Sequence, residues 1–338
     1  MHISVSAARW NTEALRTQLF LRLAPKNIAR QRFSFALDLF FLFGYSKNMD
    51  KLKILLAKGR IYESVRKLLD DVGISIYLPD RTYFPMTNQK DLEFQVVKPQ
   101  IVSNLLAHGK ADIGFSGKDW VYENGAENDV EEIVDLGFDP VRVVAAIPDT
   151  LDFDALATVP VTIATEYQNL SAQWIRNKHI NGKIFRTWGT SEGFVKDGEN
   201  ALAQILVDNT STGSSLRANN LKIVDTLMES STRLYASKAA MSDPQKKQKI
   251  MEFKMLVQAV LNARERVMLE MNCAKEQFDA LVKGIPAMKS PTVSPLFGER
   301  GYAIKIAVQK SEVPALLPKL QSLGATDILE YELRKVMM

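Results

Sequence analysis

KLKILLAKGRIYESVRKLLDDVG, residues 51–73, is the stretch of the chain that decides its fold. Its first seven residues form a short, mostly apolar run, which is typical of a buried β-strand. The following GRIYESVRKLLDDVG places apolar side chains at helical intervals and ends at Gly73, a residue that commonly closes a helix. A strand that leads directly into a helix predicts the first unit of an α/β domain.

The same alternation continues to residue 148. Strands are predicted at LEFQVVK (92–98), ADIGFSG (111–117), VEEIVDLG (130–137) and VRVVAAIP (141–148). Pro99 opens a helix, PQIVSNLLAHG, between the first two of these strands. This order indicates an α/β unit with a largely parallel sheet.

A second α/β series follows the segment at residues 149–160. Its predicted strands are VTIAT (161–165), KIFRTW (183–188) and AQILVDN (203–209). LKIVDTLMES and TRLYASK are then predicted as two strands that return to the first unit, before a helix from Pro244 to about Ala263. We therefore predict one lobe from residues 49–148 plus 233–263 and a second from 149–232. A cleft between two lobes is a usual place for a ligand.

Residues 264–338 are predicted to form a third unit. RVMLEMN, MKSPTVSPL, GYAIKIAVQ and ATDILEYEL are its extended segments, and AKEQFDALVKG and SEVPALLPKLQSLG are its helices. The resulting β-α-β-β-α-β order is the ferredoxin-like arrangement.

The first 48 residues differ from the rest in composition. They hold seven basic residues and two acidic ones. Their apolar run FSFALDLFFLFG (33–44) is too short to span a bilayer and contains Asp38. The residues after it, Tyr45-Ser46-Lys47, do not fit a signal-peptide cleavage site. We expect a disordered, dispensable extension or a start site assigned too early, with Met49 opening the protein; a targeting peptide is the alternative.

Charge and ligand residues exclude several function classes. The formal net charge of +4 falls to −1 once the first 48 residues are set aside, so no basic face argues for nucleic acid. One cysteine, Cys273, excludes a disulfide framework and fits the cytoplasm. The histidines, His2, His108 and His179, are too far apart in sequence to suggest a metal cage. We expect no protein-built metal site, no nucleic-acid partner and no membrane partner.

ILVDNTSTGSSLRANNL, residues 205–221, is the main candidate for chemistry. Small residues that link a strand to a helix direct backbone N–H groups toward one point, which favours a phosphate. Asp208 would repel a phosphate but suits a sugar hydroxyl, so the pattern suggests a sugar phosphate. A Ser/Thr-rich turn that caps its own helix remains the alternative. The candidate binding residues are Asp208, Asn209, Thr210, Ser211, Thr212, Gly213, Ser214 and Ser215.

Charged residues near other strand ends are further candidates. Lys58 and Arg60 flank Gly59 after the first strand, and Arg81 and Lys98 also lie near strand ends. Such cations suit a polyphosphate, since Arg and Lys bind phosphate oxygens well. Glu192, in the loop GTSEG, is a candidate base or hydroxyl acceptor. Solvated surface charges are the alternative for each.

These stretches together resemble the ATP phosphoribosyltransferases, which open histidine biosynthesis, from about Leu52 to Val336. KGRIYES is similar to the family's KGR-L turn, ADIGFSGKD to its D-[IL]-G-x-x-G segment, and VDLGFDPVRVVAAIP to its LGFG-x-C/R-x-L-x-x-A-x-P segment. VDNTSTGSSLRANNL resembles its D-x-x-x-T-G-x-T-L loop, and MKSPTVSPL resembles a stretch of its carboxyl-terminal domain. Each motif is weak alone, but five in the family's order are specific.

The resemblance implies a reaction. N1 of ATP would attack the anomeric carbon of 5-phosphoribosyl 1-diphosphate and displace pyrophosphate, with Mg²⁺ held mainly by the diphosphate. By the same resemblance, residues 212–215 hold the 5-phosphate, Asp208 binds ribose hydroxyls, and Glu192 lies near the ribose. The residues implied to face the diphosphate and the ATP phosphates are Lys58, Gly59, Arg60, Arg81 and Lys98.

The resemblance also implies an architecture and a regulation. It implies a two-lobed, periplasmic-binding-protein-like α/β core with a ferredoxin-like regulatory domain, the long form of the family. Histidine would act as a feedback inhibitor, with Met288, Ser290 and Thr292 as a place to look for its site. Homodimers assembling into homohexamers are implied as well.

Three departures from the family pattern lie between residues 204 and 215. Gln204 stands in ALAQIL where many members have an acid, so any base role there would pass to Glu192 or Asp208. Ser211 stands where many have Glu, and Ser215 where Thr is usual. A two-lobed solute-binding protein without catalysis is the main rival interpretation. It leaves the third unit and the cation-rich first turn unexplained.

Overall fold

The structure is a computed structural model that describes residues 51–198, 201–286 and 290–338. The extension predicted at residues 1–48 and the candidate residue Met288 lie outside the described residues. All structural statements below concern the described residues.

The first part of the chain alternates strands and helices as predicted. Its elements are β1 (Leu52–Ala57), α1 (Arg60–Val72), β2 (Ile76–Tyr77), β3 (Met86–Thr87), β4 (Leu92–Val97), α2 (Val102–Ala107), β5 (Ile113–Gly117) and α3 (Lys118–Glu123). Helix α1 buries Val65, Leu68 and Leu69 against the sheet. It ends at Gly73, whose φ of 101° is the left-handed conformation that glycine adopts without strain.

The next part contains the longest elements. They are β6 (Val130–Pro148), α4 (Phe153–Ala157), β7 (Val161–Thr165), α5 (Gln168–Lys178), β8 (Gly182–Arg186), β9 (Ile205–Thr210), α6 (Ser214–Ala218), β10 (Leu221–Ser237), α7 (Lys238–Ser242) and α8 (Pro244–Arg264). The prediction of separate strands in 130–148 and in 221–237 is wrong. Each region is a single strand, because register shifts interrupt the side-chain alternation while the backbone pairing continues.

The main sheet is mixed rather than largely parallel. Its eight strands are ordered β4-β1-β5-β10-β6-β9-β7-β8. The two ends of this order are parallel, whereas β10 runs antiparallel to β5 and β6, and β6 runs antiparallel to β9. The strand pattern of a sequence carries no information on direction, so the two antiparallel long strands could not be predicted from it.

The register brings the carboxyl ends of strands from both parts of the sheet together. Gly117, the last residue of β5, pairs with Thr232 of β10. Thr210, the last residue of β9, pairs with Arg142 of β6, which itself pairs with Glu229 of β10. These two ends are therefore three residues apart along β10. Loops that leave them converge on the middle of the long strands.

Separate apolar clusters lie in the two parts of this sheet. One cluster is built around β1, β4 and α1, and another packs β7, β9 and α5 around Trp174. The predicted lobe boundary after residue 232 falls within β10, which runs through both parts. The exact division into lobes stays a prediction.

The tail domain has its own sheet and core. Its elements are β11 (Arg266–Cys273), α9 (Phe278–Gly284), β12 (Thr292–Pro295), β13 (Tyr302–Gln309), α10 (Val313–Ser322) and β14 (Thr326–Glu332). The sheet order β12-β13-β11-β14 with helices after β11 and β13 confirms the ferredoxin-like arrangement. Within the described part of the chain, no helix combines the length and apolar character that crossing a membrane requires.

Candidate active site

A cavity of about 190 Å³ lies where the carboxyl ends of β5 and β9 meet. Lys58 and Arg60 line it from the turn after β1, and Asn209 lines it from β9. Its remaining wall comes from α3 and from the long strands β6 and β10. The structure thus brings predicted residues from the first turn and from the 205–221 stretch to one cavity.

The turn after β1 depends on glycine. Gly59 has φ 95° and ψ −143°, a conformation that side chains strongly disfavour. This turn exposes Lys58 and Arg60 at the cavity. Lys98 directly precedes Pro99, which lines the cavity, but Lys98 does not line it. Arg81 lies between β2 and β3 and is also outside the lining.

A buried hydrogen-bond network, here called the Asp119 network, connects α3 to β9. The Oδ1 of Asp119 accepts from Ser230 Oγ at 2.6 Å, and its Oδ2 accepts from the Tyr167 hydroxyl at 2.6 Å. Asn209 Nδ2 donates to the same hydroxyl oxygen at 2.9 Å. Burial raises the pKa of Tyr167 well above its usual value, with the Asp119 charge adding to the rise. Tyr167 therefore remains a neutral donor.

Sequence reasoning missed the Asp119 network because its members lie far apart in the chain. The ring of Tyr167 stacks on Trp120 at 4.6 Å between centroids. A Cβ at Gly117 would collide with the Asp119 carboxylate. The glycine and acid of the SGKD stretch, at the end of a predicted strand, were the available signal.

Asp208 is half-buried and close to two other acids. Burial raises its pKa to about 7, although the backbone N–H of Asn209 donates to Oδ1 at 2.7 Å and opposes the rise. The charges of Glu192 and Glu166 raise that pKa further. Glu192 lies on a short 3₁₀ turn over Ser191–Phe194. Asp208 therefore changes charge near neutral pH, so its capacity to accept hydrogen bonds depends on pH in this range.

Glu166 is a second residue that the sequence did not single out. It follows β7 directly, and its Oε2 accepts from Gln100 Nε2 at 3.1 Å. Gln100 lies on a 3₁₀ turn just after β4, so this bond connects the segments that follow β4 and β7, two strands from opposite halves of the sheet.

The small-residue loop, residues 211–215, is held by its own side chains. The buried Thr210 hydroxyl oxygen accepts from the Gly213 backbone N–H at 2.9 Å, and Gly213 has φ 72°. Arg217 Nη1 donates to the carbonyl of Thr212 at 3.0 Å. Ser211, Thr212, Ser214 and Ser215 are exposed. Because α6 has only five residues, its macrodipole is small, and an anion would bind mainly through backbone N–H groups and hydroxyls.

Gln204 has a structural position instead of a place at the cavity. Its Oε1 accepts from the backbone N–H of Thr162 at 2.9 Å, at the start of β9. Asp208 lies four residues further along the strand, about 13 Å away at 3.3 Å per residue. The absence of an acid at Gln204 therefore leaves the groups at the cavity unchanged.

Two other predicted groups lie apart from the cavity. Ser290 and Thr292 are exposed in the tail domain, before and at the start of β12. Among residues 51–198, 201–286 and 290–338, no group of three His, Cys, Asp or Glu side chains could hold a metal ion.

Two family models match the chain from residue 98 to near its end. The model described as HisG, ATP phosphoribosyltransferase, matches residues 98–259, and the model described as HisG, C-terminal domain, matches residues 263–335. The second match covers the ferredoxin-like tail. This combination is the long form of the family.

Curated relatives agree with both models. The chain is 36% identical over 297 residues to an ATP phosphoribosyltransferase of Chlorobaculum parvum, covering 86% of this chain and 99% of that protein. It is 35% identical over 292 residues to an ATP phosphoribosyltransferase of Pelotomaculum thermopropionicum, covering 85% of this chain and 99% of that protein.

A solved structure supports the same assignment. The ATP phosphoribosyl transferase (HisG:HisZ) complex from Thermotoga maritima aligns with a TM-score of 0.55 and 26% identity, over 62% of this chain and 98% of that one. The solute-binding alternative is therefore not favoured. The matching models, the relatives and the order of the motifs show that this chain belongs to the ATP phosphoribosyltransferase family, the enzymes of histidine biosynthesis.

Proposed function

We propose that the chain transfers the phosphoribosyl group at the cavity between β5 and β9. The observation that carries this proposal is the convergence of Lys58 and Arg60 with Asn209, next to the small-residue loop. Cations on one side and a sugar-phosphate loop on the other match a substrate that carries a diphosphate at one end and a 5-phosphate at the other.

The small-residue loop would bind the 5-phosphate. Its hydroxyl-bearing residues are exposed, and Gly213, with φ 72°, lets the chain turn tightly beside them. Asp208, in its ionised form, would accept hydrogen bonds from the ribose hydroxyls. Asn209 would hold the strand end in place through Tyr167.

The reaction forms the bond from adenine N1 to the anomeric carbon and breaks the bond from that carbon to the diphosphate oxygen. N1 attacks with its lone pair and carries no proton, so the nucleophile needs no base. The charges of Lys58 and Arg60 would stabilise the departing pyrophosphate. Glu192 and Asp208 would stabilise positive charge on the ribose. Arg81 and Lys98, outside the cavity lining, stay predictions for the ATP phosphates.

Magnesium fits the donor set as an ion that enters with its substrate. Mg²⁺ usually keeps several waters and takes one or two carboxylates in addition to substrate phosphates. Asp208, in β9, and Glu192, whose charge acts on Asp208, are the carboxylates that would complete its shell. Its chemistry there would be to neutralise the diphosphate.

Histidine inhibition and an oligomer are part of the proposal. Strand β12 is at the edge of the tail sheet and its residues are exposed, which leaves an unpaired edge for a partner or a ligand site. Tyr77, Tyr83, Phe84 and Met86 form an exposed apolar patch around β2 and β3, between 55% and 67% accessible. Such a patch is typical of an interface and supports a homodimer or homohexamer. We place the enzyme in the cytoplasm, where ATP is available.

The test is an absorbance assay for phosphoribosyl-ATP with ATP, phosphoribosyl diphosphate, Mg²⁺ and added pyrophosphatase, with and without histidine. Product is expected, and Lys58→Ala should lower kcat/KM while Lys51→Ala, an exposed cation outside the cavity lining, should not. No product from folded protein would contradict the catalytic proposal. Product that is insensitive to histidine would contradict only the regulatory part.

A further inference from the structure

Asp139 occupies an unusual backbone position at the cavity. On β6, Phe138 pairs with Thr232 and Val141 pairs with Ser230, so Asp139 and Pro140 together face the single residue Ser231 of β10. This two-against-one count is a β-bulge, a feature that redirects a side chain and is common beside active sites. Asp139 has φ 48°, in the left-handed region that glycine adopts freely and Asp tolerates.

Two buried polar atoms at this bulge have no protein partner. Asp139 Oδ2 and Thr232 Oγ1 are both buried without a hydrogen bond, and both residues line the cavity. Thr232 is 1% exposed. A buried polar atom without a partner destabilises a folded protein, by about 1–3 kcal/mol each. Both atoms belong to side chains of one cavity wall, which indicates a ligand that supplies the missing hydrogen bonds when it binds.

One part of the wall suits a flat, apolar ligand. Ile61, Trp120 and Val141 line the same cavity. An aromatic and aliphatic wall suits a heterocyclic base better than a hydrated polyphosphate. Lys58 and Arg60 line the cavity too, so the diphosphate proposed to bind them would lie beside the base.

We propose that Asp139 and Thr232 bind the N6–N7 edge of the adenine of ATP. The Asp139 carboxylate accepts a hydrogen bond from the N6 amino group, and the Thr232 hydroxyl donates to N7. This pairing leaves N1 uncovered, which the reaction requires because N1 is the nucleophile. The inference rests on the proposed transfer at this cavity and adds the residues that select the base.

The assignment also has a consequence for the chemistry. When N1 attacks, positive charge develops on the adenine ring and the N6–H group becomes a stronger donor. A carboxylate at N6 therefore interacts more strongly with the transition state than with ATP, which lowers the barrier. A base with a carbonyl at position 6 would place two acceptors against each other and bind weakly.

The test is equilibrium binding without phosphoribosyl diphosphate, by titration calorimetry in EDTA and again with Mg²⁺. The probes are ATP, inosine triphosphate, which has a carbonyl at position 6, and 7-deaza-ATP, which lacks N7. The wild-type chain should bind inosine triphosphate about 10- to 100-fold more weakly than ATP. It should bind 7-deaza-ATP about 3- to 10-fold more weakly than ATP.

Two variants separate the two contacts. Asp139→Gly should remove most of the preference for ATP over inosine triphosphate, and it should fold because glycine relaxes the positive φ. Thr232→Val should bind ATP and 7-deaza-ATP equally. Glu131→Gln is the matched control for the lost charge, since Glu131 is an exposed acid on β6 outside the cavity lining, and it should keep both preferences.

Three results would overturn the assignment. Equal binding of ATP and inosine triphosphate by the wild-type chain would show that the 6-position is not read. An Asp139→Gly effect that appears only with Mg²⁺ would make Asp139 a metal ligand instead. An unchanged preference in a folded Asp139→Gly variant would remove Asp139 from the base site. Because binding is measured without turnover, these results are independent of whether transfer itself is detected.

Discussion

The small-residue loop and the Asp119 network differ in almost every physical respect, although Asn209 of the network lies only two residues before the loop. The loop is local in sequence, and its four hydroxyl-bearing residues are exposed, with Thr212 Oγ1 donating to Ser214 Oγ at 3.1 Å. The network is assembled from α3, β9, β10 and the start of α5, is mostly buried, and has its polar atoms paired with one another. Free groups bind a ligand, whereas paired groups hold other groups in position. We therefore expect changes in the loop to act on substrate binding and changes in the network to act on both turnover and stability.

Asp208→Asn should give the largest effect. Asp208 lies in β9 directly before Asn209, and its ionised carboxylate is proposed to stabilise the ribose in the transition state. We expect kcat/KM to fall about 100- to 1,000-fold, the usual loss for a preorganised electrostatic contact. Steady-state kinetics and thermal unfolding of the same variant would check this. A loss of stability that matches the loss of activity would mean that Asp208 only holds the turn.

Tyr167→Phe should give the next largest effect. It removes the donor to Asp119 and the acceptor of Asn209 Nδ2. Leaving a buried carboxylate oxygen unpaired should lower the free energy of unfolding by about 1–3 kcal/mol. We expect kcat to fall about 10-fold with little change in the KM for phosphoribosyl diphosphate, because the small-residue loop stays intact.

Tyr235→Phe is the matched control for Tyr167→Phe. Tyr235 is a buried tyrosine on β10 whose hydroxyl is 3.5 Å from Glu132 Oε2, outside the cavity lining. It should leave kcat unchanged. An equal fall of kcat in both variants would contradict a positioning role for the Asp119 network.

The pH dependence of stability should show the raised pKa of Asp208. Its folded-state pKa of about 7 exceeds the usual value of 3.8, so the folded state binds the proton more tightly than the unfolded state between these values. This stabilisation is complete below pH 4 and is lost as the pH rises through 7. The wild-type chain should therefore lose stability from pH 5 to pH 8, whereas Asp208→Asn should not. The free energy of unfolding of the variant minus that of the wild-type chain should rise over this range.

The size of that gain should be on the order of 1–2 kcal/mol, after allowing for partial solvent screening of a half-buried group. Denaturant unfolding of both proteins at the two pH values would measure it. If the difference in free energy of unfolding between the two proteins were the same at pH 5 and pH 8, Asp208 would titrate in its usual range.

Gly213→Ala should give the smallest effect. The residue has φ 72°, and an added Cβ would lie 3.0 Å from Arg217 Nη1. We expect a loss of about 1 kcal/mol in stability and a several-fold rise in the KM for phosphoribosyl diphosphate, with kcat preserved. Ser215→Thr is the control, since it keeps the hydroxyl in the same loop. A fall in kcat without a change in KM would place the small-residue loop in the positioning machinery.

Local pattern was sufficient for most elements. The first strand and helix, the tail domain and the 205–221 stretch follow from periodicity, capping glycines and residue size, all of which act over a few residues. The long strands β6 and β10 could not be predicted as single elements, because their bulges break the alternation on which strand prediction depends. Local pattern can also be ambiguous. The charge of Arg81 and its position near a strand end predicted a phosphate contact, but Arg81 does not line the cavity, so that contact stays a prediction.

The sequence by itself determined the family, the α/β core with its ferredoxin-like tail, and the residues of the first turn and the small-residue loop. Only the tertiary structure decided that β6 and β10 run antiparallel through the sheet, that the ends of β5 and β9 meet beside them, and that Asp119, Tyr167 and Asn209 form one network. The physical reason is the separation along the chain between the residues that interact. Turns, caps and hydroxyl-rich loops are set by neighbours in the chain, whereas burial, pairing and raised pKa values come from residues brought together by packing.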